Sequence, residues 1–269
     1  MSDKRKLAVN SRSNTAHAGD SRSTWALAGR ALAATAGLAV AHAGPGITAL
    51  RSVRMSLFPQ LSGKAPSDHV ALTFDDGPDP AATPLFLDLL RQRGVRATFF
   101  LLGTQVSRRP RLAADIADAG HEIGVHGWRH RYLPLRGPMA TYDDLASAKE
   151  IITATSGVTP WLFRPPYGVL STAGLVSARR LGLTPVLWST WGKEWTPGST
   201  PASVHAVLSG GLAGGSTVLL HDSDCTSPPG SWRSALGALP LLLDECERRG
   251  LRVGPLGDHG PHWRRPPSS

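Results

Sequence analysis

The sequence predicts an α/β fold, a distorted (β/α) barrel of about seven strands. From His69 onward, short apolar runs rich in β-branched and aromatic residues alternate with longer segments whose apolar residues have helical spacing. Strands that are separated by helices form parallel sheets with right-handed crossovers. With 269 residues, of which 41% are hydrophobic, the chain can bury one substantial core.

The predicted elements follow one another in a regular order. The first strand, residues 70–74, is a continuous apolar run, as expected for a strand that is covered on both faces. The first helix of the domain, residues 83–93, carries its leucines and phenylalanine at helical spacing. Further strands are predicted at 96–102, 122–126, 161–164, 184–188, 216–221 and 251–254, and further helices at 110–119, 141–155, 171–181, 201–209 and 231–249.

Composition divides the chain into four segments. Residues 1–43 form a basic leader whose Ala-rich end, Ala31 to Ala43, closes with an A-x-A sequence typical of a secretory signal. Residues 44–67 have the mixed composition of a linker or arm, residues 68–256 form the globular domain, and residues 257–269 form a polar tail. The leader predicts an extracytoplasmic or membrane-associated protein, with an Ala-rich helix of a cytoplasmic protein as the alternative.

The distribution of charge argues against a nucleic-acid partner. The formal net charge is +9, but the first 54 residues hold eight basic and two acidic residues, so six of the nine net charges lie there. The domain is therefore close to electrical balance, and it contains no basic run interleaved with aromatic residues. Two cysteines, Cys225 and Cys246, show no CxxC spacing, and the sequence leaves open whether they form a disulfide or two free thiols.

Two adjacent carboxylates, Asp75 and Asp76, follow the first strand directly, and Gly77 and Pro78 then end it. The carboxyl ends of strands are where α/β folds hold their functional groups. Two carboxylates side by side repel each other and lose hydration, so a fold that places them there normally supplies a cation or a proton. A solvated acidic turn is the alternative for this pair alone.

Two histidines, His126 and His130, follow the third strand with three residues between them. This spacing places both imidazoles on one side of a turn, within reach of a single ion. Together with Asp76 they make a two-histidine, one-carboxylate site. Such a site predicts Zn²⁺, or another divalent ion such as Co²⁺, with positions left open for water and substrate.

The ends of the later strands carry further polar and aromatic groups. Arg164 and Tyr167 lie in the Pro-rich sequence RPPYG, and Arg164 beside Asp75 would keep that carboxylate charged. Three tryptophans, Trp188, Trp191 and Trp195, suit stacking on sugar rings, with core packing as the alternative. His221 ends the sixth strand at a position suited to proton transfer, and Glu194 could orient it.

Five elements in this order, TFDDGP, HGWRH, RPPYG, WGKEW and LLHD, resemble the polysaccharide deacetylases of the NodB homology type, carbohydrate esterase family four. The resemblance implies that Asp75 is the general base and that Asp76, His126 and His130 bind the metal. It further implies that Arg164 supports Asp75, that the Tyr167 N–H stabilises the oxyanion, that His221 is the general acid, and that Leu219 and Trp195 line the acetyl pocket.

Two of the five elements depart from the family pattern. Gly127 stands where the family usually has Ser or Thr, so a hydroxyl that could brace the loop is missing. Trp191 and Glu194 stand where the family usually has two aspartates. The carboxylate at position 191 is therefore absent, and the one at position 194 is carried by a longer side chain.

The function that these residues predict is metal-dependent removal of N-acetyl groups from an N-acetylated sugar polymer or oligomer, such as a chitin-like chain, peptidoglycan or another cell-envelope glycan. Two alternatives remain at this point. One is an amidase that acts on a small C–N substrate other than a sugar. The other is a carbohydrate-binding module that has kept the fold without catalysis. The sequence leaves the oligomeric state open.

Overall fold

A computed structural model describes residues 21–260 and residue 263, and it divides the chain into two compact units, one up to Ala41 and one from His42. The first unit contains most of helix α1, Ser21–Ala43. The segment Trp25–Ala49 is long and apolar enough to cross a bilayer, and its apolar stretch of 18 residues has no buried residue. Signal sequences near an N-terminus have the same properties, so the segment is compatible with both predicted roles of the leader.

The second unit is an eight-stranded, parallel sheet surrounded by helices. Its helices are α2 (Arg51–Leu57), α3 (Thr83–Gln92), α4 (Gly103–Arg108), α5 (Pro110–Asp118), α6 (Pro138–Ser156), α7 (Thr172–Arg180), α8 (Pro201–Ser209) and α9 (Trp232–Arg248). Its strands are β1 (His69–Asp75), β2 (Thr98–Leu101), β3 (Glu122–Val125), β4 (Leu162–Phe163), β5 (Thr184–Pro185), β6 (Thr190–Trp191), β7 (Thr217–His221) and β8 (Arg252–Gly254).

The helix ends follow local rules of the sequence. Proline occupies the first turn of α3, α5, α6 and α8, where no backbone N–H is needed. Helix α8 begins with a capping box in which Thr200 and Ser203 satisfy each other's backbone donors. Helix α6 ends at Gly157, whose φ of 70° is readily adopted by glycine.

The strand order confirms the predicted α/β barrel and defines its seam. The order is β5-β4-β3-β2-β1-β7-β6, and β8 pairs with the first half of β1. Within the part of the chain that the structure describes, β5 and β6 do not pair, so the barrel is open between them. The sequence predicts one strand over 184–188, whereas the structure has a two-residue β5 and a separate β6 at 190–191.

Residues of the predicted arm cover this seam. The Leu61 carbonyl accepts a hydrogen bond from Leu187 N at 2.7 Å. The buried Arg54 guanidinium donates to the Trp188 carbonyl at 3.1 Å and to the Thr48 carbonyl at 2.7 Å. The bonds to Leu187 and Trp188 satisfy backbone groups that the open sheet edge would leave unpaired.

Side chains alternate between the helix-covered face of the sheet and the barrel interior, as strand geometry requires. Phe74 of β1 packs among the helices with Phe99 and Phe86, at ring-centroid distances of 4.9 and 5.1 Å. Ala71 and Phe100 belong to a smaller interior cluster that also contains Trp161, Leu162, Val186, Leu256 and Trp263. Val70 belongs to the same helix-covered cluster as Phe74. Asp75 lies an odd number of residues, five, after Val70, so its side chain is on the opposite face, toward the barrel interior.

Two residues of the predicted polar tail, His259 and Trp263, are buried rather than exposed. His259 is fully buried and its Nδ1 lies 2.9 Å from Nδ1 of His69, at the start of β1. Trp263 is also buried, in the interior cluster, and the remaining residues from 261 lie outside the described part of the chain. The two cysteines are not bonded to each other: Cys246 is buried on α9 and Cys225 lies exposed in the loop after β7.

Candidate metal centre and active site

The parallel register brings the carboxyl ends of the central strands to one edge of the barrel. Asp75 is paired with Phe100 of β2 and with His221 of β7. The residues that directly follow β1, β3 and β4 are Asp76, His126 and Arg164. The strand-end residues singled out in the sequence therefore converge on one site.

Asp76, His126 and His130 form a cluster of possible metal ligands. Oδ1 of Asp76 lies 3.3 Å from Nε2 of His126 and 3.6 Å from Nε2 of His130. The three ligand atoms all lie within 4.8 Å of one another. Asp76 adopts a φ of 76°, an uncommon conformation for a residue other than glycine, which is typical of a functional constraint.

Neighbouring groups fix the orientation of two of these ligands. Nδ1 of His126 lies 2.7 Å from the Arg164 carbonyl, so Nδ1 donates its proton there and Nε2 is left on the side of Asp76, free to bind a cation. Thr226 Oγ1 donates a short hydrogen bond to Oδ2 of Asp76. The other oxygen, Oδ1, is buried and has no hydrogen-bond partner among the described residues. A buried carboxylate oxygen facing two imidazoles fits a divalent cation.

The pKa shifts of Asp76 and His130 suit a cation. Burial works against ionisation of Asp76, but the neighbouring imidazoles, chiefly that of His126, outweigh it and hold the pKa of Asp76 below its usual value. Burial, together with the charge of His126, lowers the pKa of His130 to about 4, so its imidazole is neutral. Burial opposes charge on His126 too, yet Asp75 and Asp76 raise its pKa.

Asp75 is held by Arg164 rather than by the histidines. Nη1 of Arg164 donates to Oδ1 of Asp75 at 2.8 Å and to Thr73 Oγ1 at 2.7 Å. Nη2 donates to the Leu187 carbonyl at 2.8 Å, and the guanidinium carbon lies 4.1 Å from the centroid of the Phe100 ring. The guanidinium is fully buried and has several acceptors, so its position inside the barrel is fixed. Oδ2 of Asp75 remains directed toward the site, 3.8 Å from Nε2 of His126.

The loop that carries the two histidines is braced by Asp144 of α6. Oδ2 of Asp144 accepts a hydrogen bond from Trp128 N at 2.7 Å. Gly127 adopts a φ of +94°, and a Cβ there would lie 3.0 Å from the same oxygen. A carboxylate from another element thus holds the backbone next to Gly127. The loop conformation depends on a glycine at 127.

His221 and Glu194 form a buried pair on the opposite side of the cavity. Oε1 of Glu194 lies 2.8 Å from Nδ1 of His221 and also accepts from His221 N at 2.6 Å. Burial lowers the pKa of His221, but the Glu194 carboxylate outweighs this effect and raises that pKa to about 9. The longer side chain of glutamate therefore still reaches the histidine, and the ring is protonated at neutral pH.

A cavity of about 330 Å³ joins these groups, and its wall is mainly aromatic. Trp188 stacks on Trp191 at 5.5 Å, Trp191 meets Trp195 edge-on at 5.2 Å, and Trp195 stands perpendicular to His221 at 5.3 Å. All three tryptophans line the cavity, together with Leu219. Tyr167 lies opposite, with a φ of 59° and its ring 4.3 Å from that of His130.

Two residues that contact the site were not among the sequence-based candidates. Thr226 lies in the polar loop after β7 and reaches Asp76, and Asp144 lies on α6 and reaches the histidine loop. The sequence gives no sign of either contact, because 150 and 16 residues, respectively, separate the bonded partners. The cluster of Asp76, His126 and His130 can hold a divalent cation. Beside it stand Asp75, which is bonded to an arginine, and His221, which is bonded to a glutamate.

The chain is similar to known proteins in both sequence and fold. The sequence model of the family described as polysaccharide deacetylase matches residues 62–186. The chitooligosaccharide deacetylase of Bradyrhizobium sp. is 36% identical over 197 residues, which is 70% of this chain and 88% of that protein. The crystal structure of a peptidoglycan N-acetylglucosamine deacetylase with a bound N-oxidanyl-benzamide superposes with a TM-score of 0.69 at 32% identity, covering 74% of this chain and 91% of the other. A family 4 acetyl xylan esterase from Clostridium thermocellum with a cobalt ion gives a TM-score of 0.63 at 29% identity, covering 71% and 89%.

Proposed function

The chain belongs to the polysaccharide deacetylase family, and from this premise we propose that it is a metal-dependent hydrolase that removes N-acetyl groups from an N-acetylated glycan of the cell envelope. The observation that carries the proposal is the convergence of Asp76, His126 and His130 with a separately held Asp75 and a protonated His221 around one cavity. The similar chitooligosaccharide and peptidoglycan deacetylases support a substrate with N-acetylated sugars.

Asp76, His126 and His130 would hold the cation. One carboxylate oxygen and two imidazole nitrogens are the ligand set of catalytic zinc sites, which supports Zn²⁺ as the ion, and the cobalt ion of the acetyl xylan esterase supports tolerance of Co²⁺. When bound, such an ion acts as a Lewis acid that acidifies water and polarises an amide carbonyl. The chain's own residues perform the remaining steps.

Asp75 accepts the proton of the attacking water. Its Oδ2 faces the cavity while Oδ1 is bonded to Arg164, so the carboxylate is oriented by a buried guanidinium whose position is fixed. The water oxygen attacks the carbonyl carbon of the N-acetyl group. The backbone N–H of Tyr167, whose residue lines the cavity in a constrained left-handed conformation, supports the negative charge that develops on the carbonyl oxygen.

His221 supplies the proton that the departing nitrogen needs. The C–N bond breaks, the nitrogen takes the proton of the imidazolium, and the products are acetate and a free amino sugar. Glu194 keeps His221 protonated before this step and accepts the hydrogen bond from its Nδ1, which leaves Nε2 for the substrate. Trp195, Leu219 and Trp191 line the space for the acetyl methyl group.

The apolar helix near the N-terminus supports a cell-envelope location for this activity. We propose that the segment Trp25–Ala49 either anchors the enzyme in the membrane or serves as an export signal that ends at Ala43. The basic residues that precede it are those expected on the cytoplasmic side, and the domain would then lie outside the cytoplasm.

Release of acetate from defined substrates tests the proposed function. The full chain should release acetate from N-acetylglucosamine oligomers, lose this activity with a chelator and regain it when Zn²⁺ or Co²⁺ is added back. Release of ammonia or amine from simple non-sugar amides at a higher kcat/KM would instead favour an amidase. Glycan binding without hydrolysis in the presence of metal would favour a binding module.

A further inference from the structure

A groove of about 730 Å³ lies beside the active-site cavity, between the loop 128–136 and the first turns of α6. We call it the arginine groove because Arg129, Arg131 and Arg136 line it. The same loop lines both spaces: His130 faces the cavity, whereas its two neighbours in sequence, Arg129 and Arg131, line the groove. Since consecutive Cα atoms are about 3.8 Å apart, the groove begins next to the metal ligands.

Two tyrosines bridge the cavity and the groove. The ring of Tyr167, at the cavity, lies 4.3 Å from that of His130 and 6.1 Å from that of Tyr132, which lines the groove. Both rings are exposed, Tyr167 by 58% and Tyr132 by 43%. Exposed aromatic rings offer apolar faces on which sugar rings stack, so a glycan held in the cavity has a continuous path into the groove.

The charges in the groove are not all free. Asp144 accepts a hydrogen bond from Trp128 N and lies 3.7 Å from Nη2 of Arg136, and that nitrogen also donates to the Ala140 carbonyl at 2.8 Å. Asp144 and Arg136 therefore hold the loop and neutralise each other.

Two arginines remain for a ligand. Arg129 and Arg131 are exposed, and neither side chain has a hydrogen bond or ion pair within the described residues. The charge of Arg129 also acts on Asp144, and Asp143 is the other carboxylate of the groove, so three guanidinium groups face two carboxylates among the described residues.

From this arrangement we infer that the arginine groove binds a carboxylate carried by the glycan on a sugar next to the N-acetylated unit being hydrolysed. The inference rests on the proposed function and gives its substrate class: an acidic N-acetylated glycan in preference to a neutral one. The planar guanidinium fork matches a carboxylate in shape and charge. Because both arginines are solvent-exposed, each contact contributes a preference rather than an absolute requirement.

The test uses one acidic N-acetylated oligosaccharide, in which alternate sugars carry an ether-linked carboxylic acid, and its methyl ester, which has the same shape without the charge. With Zn²⁺ supplied, the full chain should hydrolyse the free acid with a kcat/KM about tenfold higher than the ester. In R129Q/R131Q this ratio should fall to about one. The matched control R179Q/R180Q removes two exposed arginines of α7 that do not line the groove, and it should keep the full ratio.

A second variant works in the opposite direction. Asp143→Asn removes the carboxylate that opposes the ligand, and it should raise the ratio of acid to ester above that of the unmodified chain. This test does not depend on how well R129Q/R131Q folds. The inference is overturned if the unmodified chain hydrolyses acid and ester with equal kcat/KM. It is also overturned if the ratio of acid to ester is unchanged both in R129Q/R131Q and in Asp143→Asn. Metal-dependent acetate release from both substrates at equal rates would still uphold the proposed function, whereas no release from either would refute that function as well.

Discussion

Arg164 donates a hydrogen bond from Nη1 to Oδ1 of Asp75 at 2.8 Å, and both side chains are almost completely removed from solvent. Asp75 and Asp76 are adjacent in the chain, yet their environments differ: Asp75 is paired with a guanidinium, and Asp76 faces two imidazoles. Two neighbouring carboxylates can therefore have separate roles, one in proton transfer and one in metal binding.

Replacing each of the two carboxylates by an amide in turn should separate these roles. Asp75→Asn should retain the metal and lower kcat about 10²- to 10⁴-fold, the usual contribution of a general base. Asp76→Asn and His126→Ala should lose the metal, because each removes a ligand from the cluster. Metal content of the purified variants and acetate release are the measurements. Unchanged turnover in Asp75→Asn would refute its assignment as the base.

Removal of the Glu194 charge should change the pH profile. Glu194 raises the pKa of His221 to about 9, so in Glu194→Gln that pKa falls and His221 loses its proton at a lower pH. The alkaline limb of kcat should move down by about one pH unit or more. Glu194→Asp, which keeps the charge, serves as the control. Its alkaline limb should lie between those of the unmodified chain and Glu194→Gln. A limb that stays in place in Glu194→Gln would mean that His221 does not supply the proton.

Substitution of Gly127 by the residue usual in the family should be harmful in this chain. A serine at 127 would have to adopt a φ of +94° with its Cβ 3.0 Å from Asp144, so we expect a loss of about 1 kcal/mol or more in stability and weaker metal binding. The control is Gly137→Ser, since Gly137 has a φ of −67° and open space around it. Chelator competition and thermal unfolding measure the two effects. Equal metal affinity in Gly127→Ser would show that the loop adapts.

Acid should destabilise the domain through a histidine that lies away from the site. Nδ1 of His121 accepts a hydrogen bond from Ala97 N at 3.1 Å, and burial lowers the pKa of His121 to about 4. The unfolded chain takes up a proton near its ordinary pKa of about 6.5. The contribution of His121 to the free energy of unfolding is therefore fully present above about pH 6.5. It decreases by on the order of 2 kcal/mol as the pH falls toward 4. Urea unfolding of His121→Asn, whose amide oxygen can accept the same bond, should show a weaker pH dependence over this interval.

Loss of the arm's arginine should unfold the seam of the barrel. Arg54 donates to the carbonyls of Trp188 and Thr48 and to Ser62 Oγ, so Arg54→Met leaves several acceptors without a donor. We expect a loss of about 2–4 kcal/mol in the free energy of unfolding. Arg91→Met, which breaks an exposed pair with Asp88, should change it by less than about 0.5 kcal/mol. Similar unfolding midpoints for the two variants would contradict this role of Arg54.

The sequence predicts the fold and the main contacts of the site because both follow from local patterns. Alternating strands and helices imply a parallel sheet, and a parallel sheet gathers strand ends such as Asp76 and His126 at one edge. The contacts that the sequence does not reveal join residues with no common pattern. Leu61 closes the seam through its backbone, Thr226 bonds Asp76 from a polar loop, and Asp144 accepts a hydrogen bond from Trp128 N in the histidine loop. Such contacts depend on how loops pack, which periodicity does not specify.

The arm has a consequence for processing of the chain. Its hydrogen bonds to the barrel include those made by Arg51, Arg54 and Leu61, all of which follow the A-x-A sequence that ends at Ala43. A peptidase that cuts after Ala43 would therefore shed the hydrophobic helix and leave the seam sealed. The soluble product and the tethered precursor would carry the same intact catalytic domain, so release into the medium need not cost activity.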